Sequence, residues 1–230
     1  MLARATLTID LDKITENARR VTSALTDVEI VGITKVTCGT PEVARAMLAG
    51  GVSALGESRL ENVARMRDAE IAAPMWLVRA PAPGQADDAV RLADVSAISE
   101  LDIAVALDAA AGRAERRHSI VAMVDIGDLR EGMMPAELPT FLERAEALPN
   151  LDVIGIGASL TCYGAIVPDE RNLGLLAELA ADAERQLGRK LLVSGGSSTS
   201  IEPVLAGRAP ASRRRPMCGT RRPPASGAPG

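Results

Sequence analysis

The chain alternates. Short β-branched or apolar runs recur along it, each followed by an Ala/Leu/Glu-rich stretch with helical spacing, and that rhythm confines the fold to βα units around a parallel sheet. Strands are expected over residues 28–34, 52–55, 75–79, 95–98, 119–125, 153–158 and 191–193. Helices are expected at roughly 59–69, 85–92, 100–116, 136–147 and 169–187, with a leading helix at 11–25 that puts Ile14, Ala18, Val21 and Leu25 on one face. Thr40-Pro41-Glu42 opens the helix after the first strand with a capping residue, a first-turn proline and an acid. The expected class is α/β, a TIM-type (β/α)8 barrel lacking its last strand. A doubly wound open sheet competes, but no GxGxxG follows the first strand.

An apolar fraction of 47% is enough for a sizeable core. Almost all of it is aliphatic, because Trp76, Phe141 and Tyr163 are the only aromatic residues. That argues against base stacking as the main business of the chain. The net charge of -4 is unevenly spread: six arginines and no acid lie between Gly207 and Gly230, leaving 20 basic against 30 acidic residues, a net -10, for the rest. An acidic body argues against a nucleic-acid partner. Residues 1–208 read as one domain. Residues 209–230 read as a disordered Arg/Pro/Gly-rich tail without hydrophobic periodicity.

Cys38, Cys162 and Cys218 are odd in number and fit neither a disulfide framework nor a zinc site, so no metal is expected and a reducing compartment is the simple reading. The first eleven residues are too short and polar for a signal sequence, and no apolar run reaches membrane-span length. The expected location is the cytoplasm, without membrane association.

Only three lysines occur, Lys13, Lys35 and Lys190. Lys13 begins a polar helix face and Lys190 precedes a strand. Lys35 ends the apolar run Ile30-Val-Gly-Ile-Thr, at the carboxyl mouth of the first strand, where barrel sites are built. A partly desolvated lysine there has a lowered pKa and forms Schiff bases; a lysine snorkelling from a strand end is the bland alternative. After the seventh strand, Ser194-Gly195-Gly196-Ser197-Ser198 opens a short helix. Glycine amides, hydroxyls and a helix start make a phosphate cradle, and a flexible Ser/Gly linker is the alternative. After the fifth strand, glycines at 127 and 132 bracket Arg130, whose fork suits a phenolate or carboxylate, or is simply solvated. The sixth strand leads into Leu160-Thr161-Cys162-Tyr163-Gly164, placing small polar groups and the only tyrosine at the mouth, either as acid/base or as packing. Gly56-Glu57-Ser58-Arg59 ends the second strand and lines the site or caps the next helix through Ser58. His118 falls at the opposite end and receives no catalytic role; Trp76 and Phe141 are most simply core.

Taken in order, Gly32-Ile-Thr-Lys35-Val, Asp125-Ile-Gly-Asp-Leu-Arg130-Glu-Gly132, Leu160-Thr-Cys-Tyr-Gly and Ser194-Gly-Gly-Ser-Ser resemble the N-terminal barrel of the alanine racemase family, fold-type III pyridoxal-phosphate proteins, and within it the alanine/ornithine racemase branch. The resemblance runs from about Leu7 to Arg208. It implies pyridoxal 5'-phosphate as cofactor and Lys35 as the Schiff-base lysine that also exchanges the substrate α-proton. Arg130 would lie near the cofactor's phenolic oxygen. Ser197, Ser198 and the nearby backbone amides would hold its phosphate, and Thr161, Ser194, Gly195 and Gly196 join them as cofactor-binding residues. The substrate would be a small amino acid. The family's second acid/base is usually a tyrosine on the partner subunit's C-terminal β domain; here Tyr163 is the candidate, with Cys162 as the alternative. Relatives continue past Arg208 with a strand carrying an Arg-x-Gly-Glu-like segment and then that domain. This chain has Pro216-Met-Cys-Gly-Thr instead. Strand eight and the β domain are therefore expected to be missing, and a homodimer stays open. Two alternatives also stay open: a pyridoxal-phosphate homeostasis protein without turnover, whose Gly-Glu-Asn motif would correspond to Gly56-Glu57-Ser58, and an inactive truncated fragment.

Overall fold

Seven parallel strands pair in strict chain order: β1 (Val31–Ile33), β2 (Ala54–Glu57), β3 (Met75–Leu77), β4 (Val95–Ile98), β5 (His118–Met123), β6 (Leu151–Gly157) and β7 (Leu192–Ser194). The computed structural model describes residues 6–160 and 166–208. The reading of residues 209–230 as a tail therefore lies outside the described residues. Helices connect every pair of strands: α2 (Pro41–Ala49), α3 (Leu60–Asp68), α4 (Ala86–Leu92), α5 (Leu101–Arg113), α6 (Leu138–Glu146) and α7 (Glu170–Leu187). α1 (Leu11–Ala24) precedes the sheet and the short α8 (Ile201–Leu205) follows it. Among the described residues β1 and β7 each pair on one side only, so the sheet has two edges.

The two-residue period of each strand separates two apolar cores. One side meets the helices through large residues, among them Leu55, Leu77, Ile98, Ile120 and Ile156. The other carries Ala54, Trp76, Val95, Ala97, Val121 and Met123, with Val31, Val78, Ile154 and Leu192 against them. The sheet curls around this second set, so that side chains of β1 and β7 face one common cavity. Trp76 and Phe141 are each 6% exposed, on opposite sides of the sheet. No described helix is long and apolar enough to cross a membrane.

The seven expected strands all occur, β4 at its expected limits and the others with shifted ends. β1 is confined to Val31–Ile33, the stretch where β2 supplies a ladder. β5 stops at Met123 rather than residue 125, because Val124 turns to bridge Met133. β6 carries an extra residue against β5 between the pairs Ile120–Val153 and Val121–Gly155. α7 is bounded by a capping box, in which Asp169 Oδ1 accepts from Asn172 N at 2.8 Å and Asn172 Oδ1 accepts from Asp169 N at 2.9 Å.

His118 opens β5 and is fully buried, with Nε2 2.8 Å from the equally buried Ser96 Oγ. Its Nδ1 has no hydrogen-bond partner among the described residues. Burial, with Arg116 adding repulsion and Asp94 opposing, pushes its pKa from the ordinary 6.5 down to about 4. The unfolded chain thus takes a proton that the folded chain refuses, and stability falls as pH drops from 6.5 toward 4. The linkage is on the order of 3 kcal/mol. Urea unfolding of the wild type and His118→Gln across that range should show the variant with the flatter pH dependence. Equal slopes would mean that His118 titrates normally in the fold.

Candidate active site

Lys35 stands on a turn that one buried threonine organises. Thr34 N donates to Gly56 O at 2.9 Å, tying the end of β1 to β2. Thr34 O accepts from Thr37 N at 3.0 Å, from Gly39 N at 3.2 Å and from Thr37 Oγ1 at 2.9 Å, which folds residues 35–37 into a single 3-10 turn. Thr34 Oγ1 lies 3.1 Å from Glu57 Oε2 and 3.3 Å from Gly56 O, so its one proton serves either acceptor. Glu57, 1% exposed, also accepts from Ser58 N at 2.7 Å and Ser58 Oγ at 3.3 Å. Ser58 is therefore not the cap of α3. That position falls to Arg59, which makes no side-chain cap bond, and Ser58 instead faces the cavity.

Arg130 rides on a loop whose ends are pinned together. Asp125 N donates to Met133 O at 2.8 Å, Met133 N donates to Met123 O at 2.9 Å, and Gly127 N donates to Asp125 Oδ1 at 2.7 Å. Leu129 adopts φ 51°, an unusual value for a branched side chain, immediately before the arginine. Gly132 has φ +125°, and a Cβ there would sit 2.4 Å from Asp125 N, so only glycine closes this loop.

After β7, Gly196 (φ +68°) presses so close to β6 that a Cβ would fall 1.9 Å from Ala158 O. Ser197 Oγ lies 2.6 Å from Thr199 Oγ1, and Ser200 Oγ donates to Gly195 O at 3.0 Å. The amides of Gly196 and Ser198 donate to no acceptor among the described residues. The segment is thus a braced loop rather than a free linker.

These pieces line one cavity of about 1450 Å³. Lys35, Arg130 and Ser194 to Ser198 all contribute to its wall. Thr161, Cys162 and Tyr163 lie outside the described residues. Two wall residues escape the sequence analysis: Arg79, the second residue after β3, and Glu100, the second after β4. Arg79 stands to β3 much as Lys35 stands to β1, a charged residue just past an apolar run, and that is the signal that could have found it. Glu131 joins them, so among the described residues the mouth carries three cations and two carboxylates. No group of His, Cys, Asp and Glu suited to a metal occurs among the described residues.

A parallel βα sheet that gathers charged and anion-binding groups at the carboxyl ends of its strands is the layout of barrel-type binding sites. More narrowly, the chain belongs to the family described as alanine racemase, N-terminal domain, whose model matches residues 9–209. It is 34% identical over 207 residues to a lysine racemase of Thermotoga maritima and 33% identical over 208 residues to an ornithine racemase of Acetoanaerobium sticklandii, in each case covering 89% of this chain and 58% of the relative. The chain therefore spans little more than half the length of these curated relatives. Among solved structures, the alanine racemase of Streptomyces lavendulae superposes with a TM-score of 0.74 at 22% identity, over 87% of this chain and 55% of that one, a likeness of fold.

Gly196→Ala should cost about 1–2 kcal/mol or more, since both the left-handed backbone and the contact with Ala158 resist a methyl group. Urea unfolding and amide exchange over residues 194–200 check this. Stability unchanged within about 0.5 kcal/mol would show that the loop is free to swing off β6.

Proposed function

We propose that this chain is the cofactor-binding part of a pyridoxal-phosphate-dependent amino-acid racemase, built on a TIM-type barrel of which the described residues form seven strands. The observation that carries the reading is the convergence of Lys35, Arg130 and the Ser194–Ser198 loop on one cavity. The residues fit the cofactor: an amine for its aldehyde, a glycine-braced loop with spare amides for its phosphate, and an arginine fork for its phenolic oxygen. When bound, pyridoxal phosphate supplies the electron sink that makes an α-proton labile.

In this reading Lys35 Nζ would hold the cofactor covalently and, once the substrate's amine has displaced it, would carry the α-proton. Thr34 and Glu57 fix the turn that aims it. Arg130 would donate hydrogen bonds to the phenolic oxygen and act there as a fixed positive charge. Ser197 and Ser198 donate to phosphate, with Ser194, Gly195, Gly196 and Thr161 beside them. Tyr163 is the proposed acid/base for the other face of the substrate. The ornithine and lysine racemases among the relatives favour a diamino acid as substrate, and Glu100 and Glu131 at the mouth supply charge of the sign its distal ammonium needs. A cytoplasmic homodimer completes the proposal, on the scattered cysteines and the two open sheet edges.

Borohydride reduction of the protein with pyridoxal phosphate, followed by peptide mass mapping, should place a pyridoxyl label on Lys35 and none in Lys35→Ala. A reducible adduct retained by that variant would sink the assignment. Ser198→Ala should weaken the cofactor by on the order of 1–3 kcal/mol. Exchange of the α-proton of L-ornithine, L-lysine or L-alanine in deuterated water separates a racemase from a carrier: labelled Lys35 without exchange would leave binding and remove turnover.

A further inference from the structure

A free amino acid brings a carboxylate into any pocket that takes it, and a carboxylate leaving water needs a fixed cation or strong donors. Among the described residues three cations line the cavity at its mouth. In the reading above, Lys35 is committed to the cofactor's aldehyde and Arg130 to its phenolic oxygen. Arg79 remains. It makes no ion pair and no hydrogen bond among the described residues. By contrast Arg67 is held by Asp94 and three carbonyls, and Arg189 by Glu146 and Val153 O.

The backbone under Arg79 is firmly set. Val78 N donates to Glu57 O at 2.9 Å, the bond next to the Thr34–Glu57 contact behind Lys35. Pro81 and Pro83 stiffen the following segment, and Ala82 N donates to Gln85 Oε1 at 3.1 Å. In the order of the sheet, β3 lies four strands from β7, away from the Ser/Gly loop, so Arg79 is poorly placed for the phosphate. It lies two strands from Lys35 and borders the same cavity. Trp76, on the same strand, faces the cavity too, and its buried Nε1 has no partner among the described residues.

We propose that Arg79 binds the α-carboxylate of the amino-acid substrate and so selects α-amino acids over simple amines. The inference rests on the racemase reading. An arginine suits the task because its rigid fork meets a carboxylate through two parallel hydrogen bonds, which fixes the orientation of the Cα substituents as well as their position.

The test uses the full chain loaded with pyridoxal phosphate. L-ornithine and 1,4-diaminobutane share their amines and differ by the carboxylate; binding is followed by cofactor absorbance and by the fluorescence of Trp76, the sole tryptophan. The wild type should prefer ornithine by at least about tenfold. Arg79→Gln should weaken ornithine about 10- to 100-fold, the range expected when a charged hydrogen-bonding partner is lost. It should leave diaminobutane and cofactor affinity unchanged. Arg79→Lys should fall between. Ornithine binding that survives Arg79→Gln, an equal loss for both ligands, or a wild type indifferent to the carboxylate would each overturn the proposal. A wild type that takes no cofactor on Lys35 fails earlier, before any amino acid is added, and removes the racemase reading itself.

Discussion

The mouth of the sheet depends on Thr34. It is fully buried and uses every polar atom it has: its amide and hydroxyl reach β2, and its carbonyl gathers three donors from the turn that follows. The result converts the end of an edge strand into a rigid pedestal. β1 has only three laddered residues, too few to aim a long lysine side chain. The buried Glu57 carboxylate extends the bracing to Ser58, and the backbone bond from Val78 to Glu57 O extends it to β3. Lys35 and Arg79 are thereby mounted on one hydrogen-bonded frame.

Side-chain size explains why there is a cavity above that frame. Facing the helices, the strands carry leucine and isoleucine, which interlock with α2 to α7. On the concave side they carry Ala54, Gly56 and Ala97, and a chain with three aromatic residues has spent its one tryptophan at the centre of this face. Trp76 lines the cavity, and the small residues beside it leave the room. The same alternation that makes the sheet therefore also makes the site.

Strand and helix existence was legible because apolar periodicity is a local signal, and β4 matches its expected limits at residues 95–98. Strand ends were less legible, because a ladder needs a neighbour: Val124 and Asp125 are as apolar-flanked as Met123, yet they leave β5 to close the Arg130 loop against Met133. Lys35 and the Ser/Gly loop stood out by rarity and composition. Arg79 did not, since arginines are common here and only the curl of the sheet puts this one in the wall. Of the two readings of Ser58, lining the site or capping the helix, the sequence could not choose, because the buried Glu57 that engages its hydroxyl is a tertiary feature.

The two groups that matter most to the proposed chemistry come from the two edges of the sheet, Lys35 after β1 and the Ser194–Ser198 loop after β7. Their separation is therefore set the long way round, through six successive strand pairings, each free to vary in twist by several degrees. Among the described residues the short way round is not bonded: α1 and α7 both lend residues to the cavity wall there, with Ile14, Ala18, Leu176 and Ala180 among them. A ligand that engages Lys35 at one end and the Gly196 loop at the other spans that stretch. It would do for the open side what the ladders do for the closed side, so binding and sheet geometry are coupled through the ligand's own length. Affinity for such a ligand is consequently a measure of how well the curl is held, and Gly196, wedged against Ala158 O, is the contact that holds it on the β7 side.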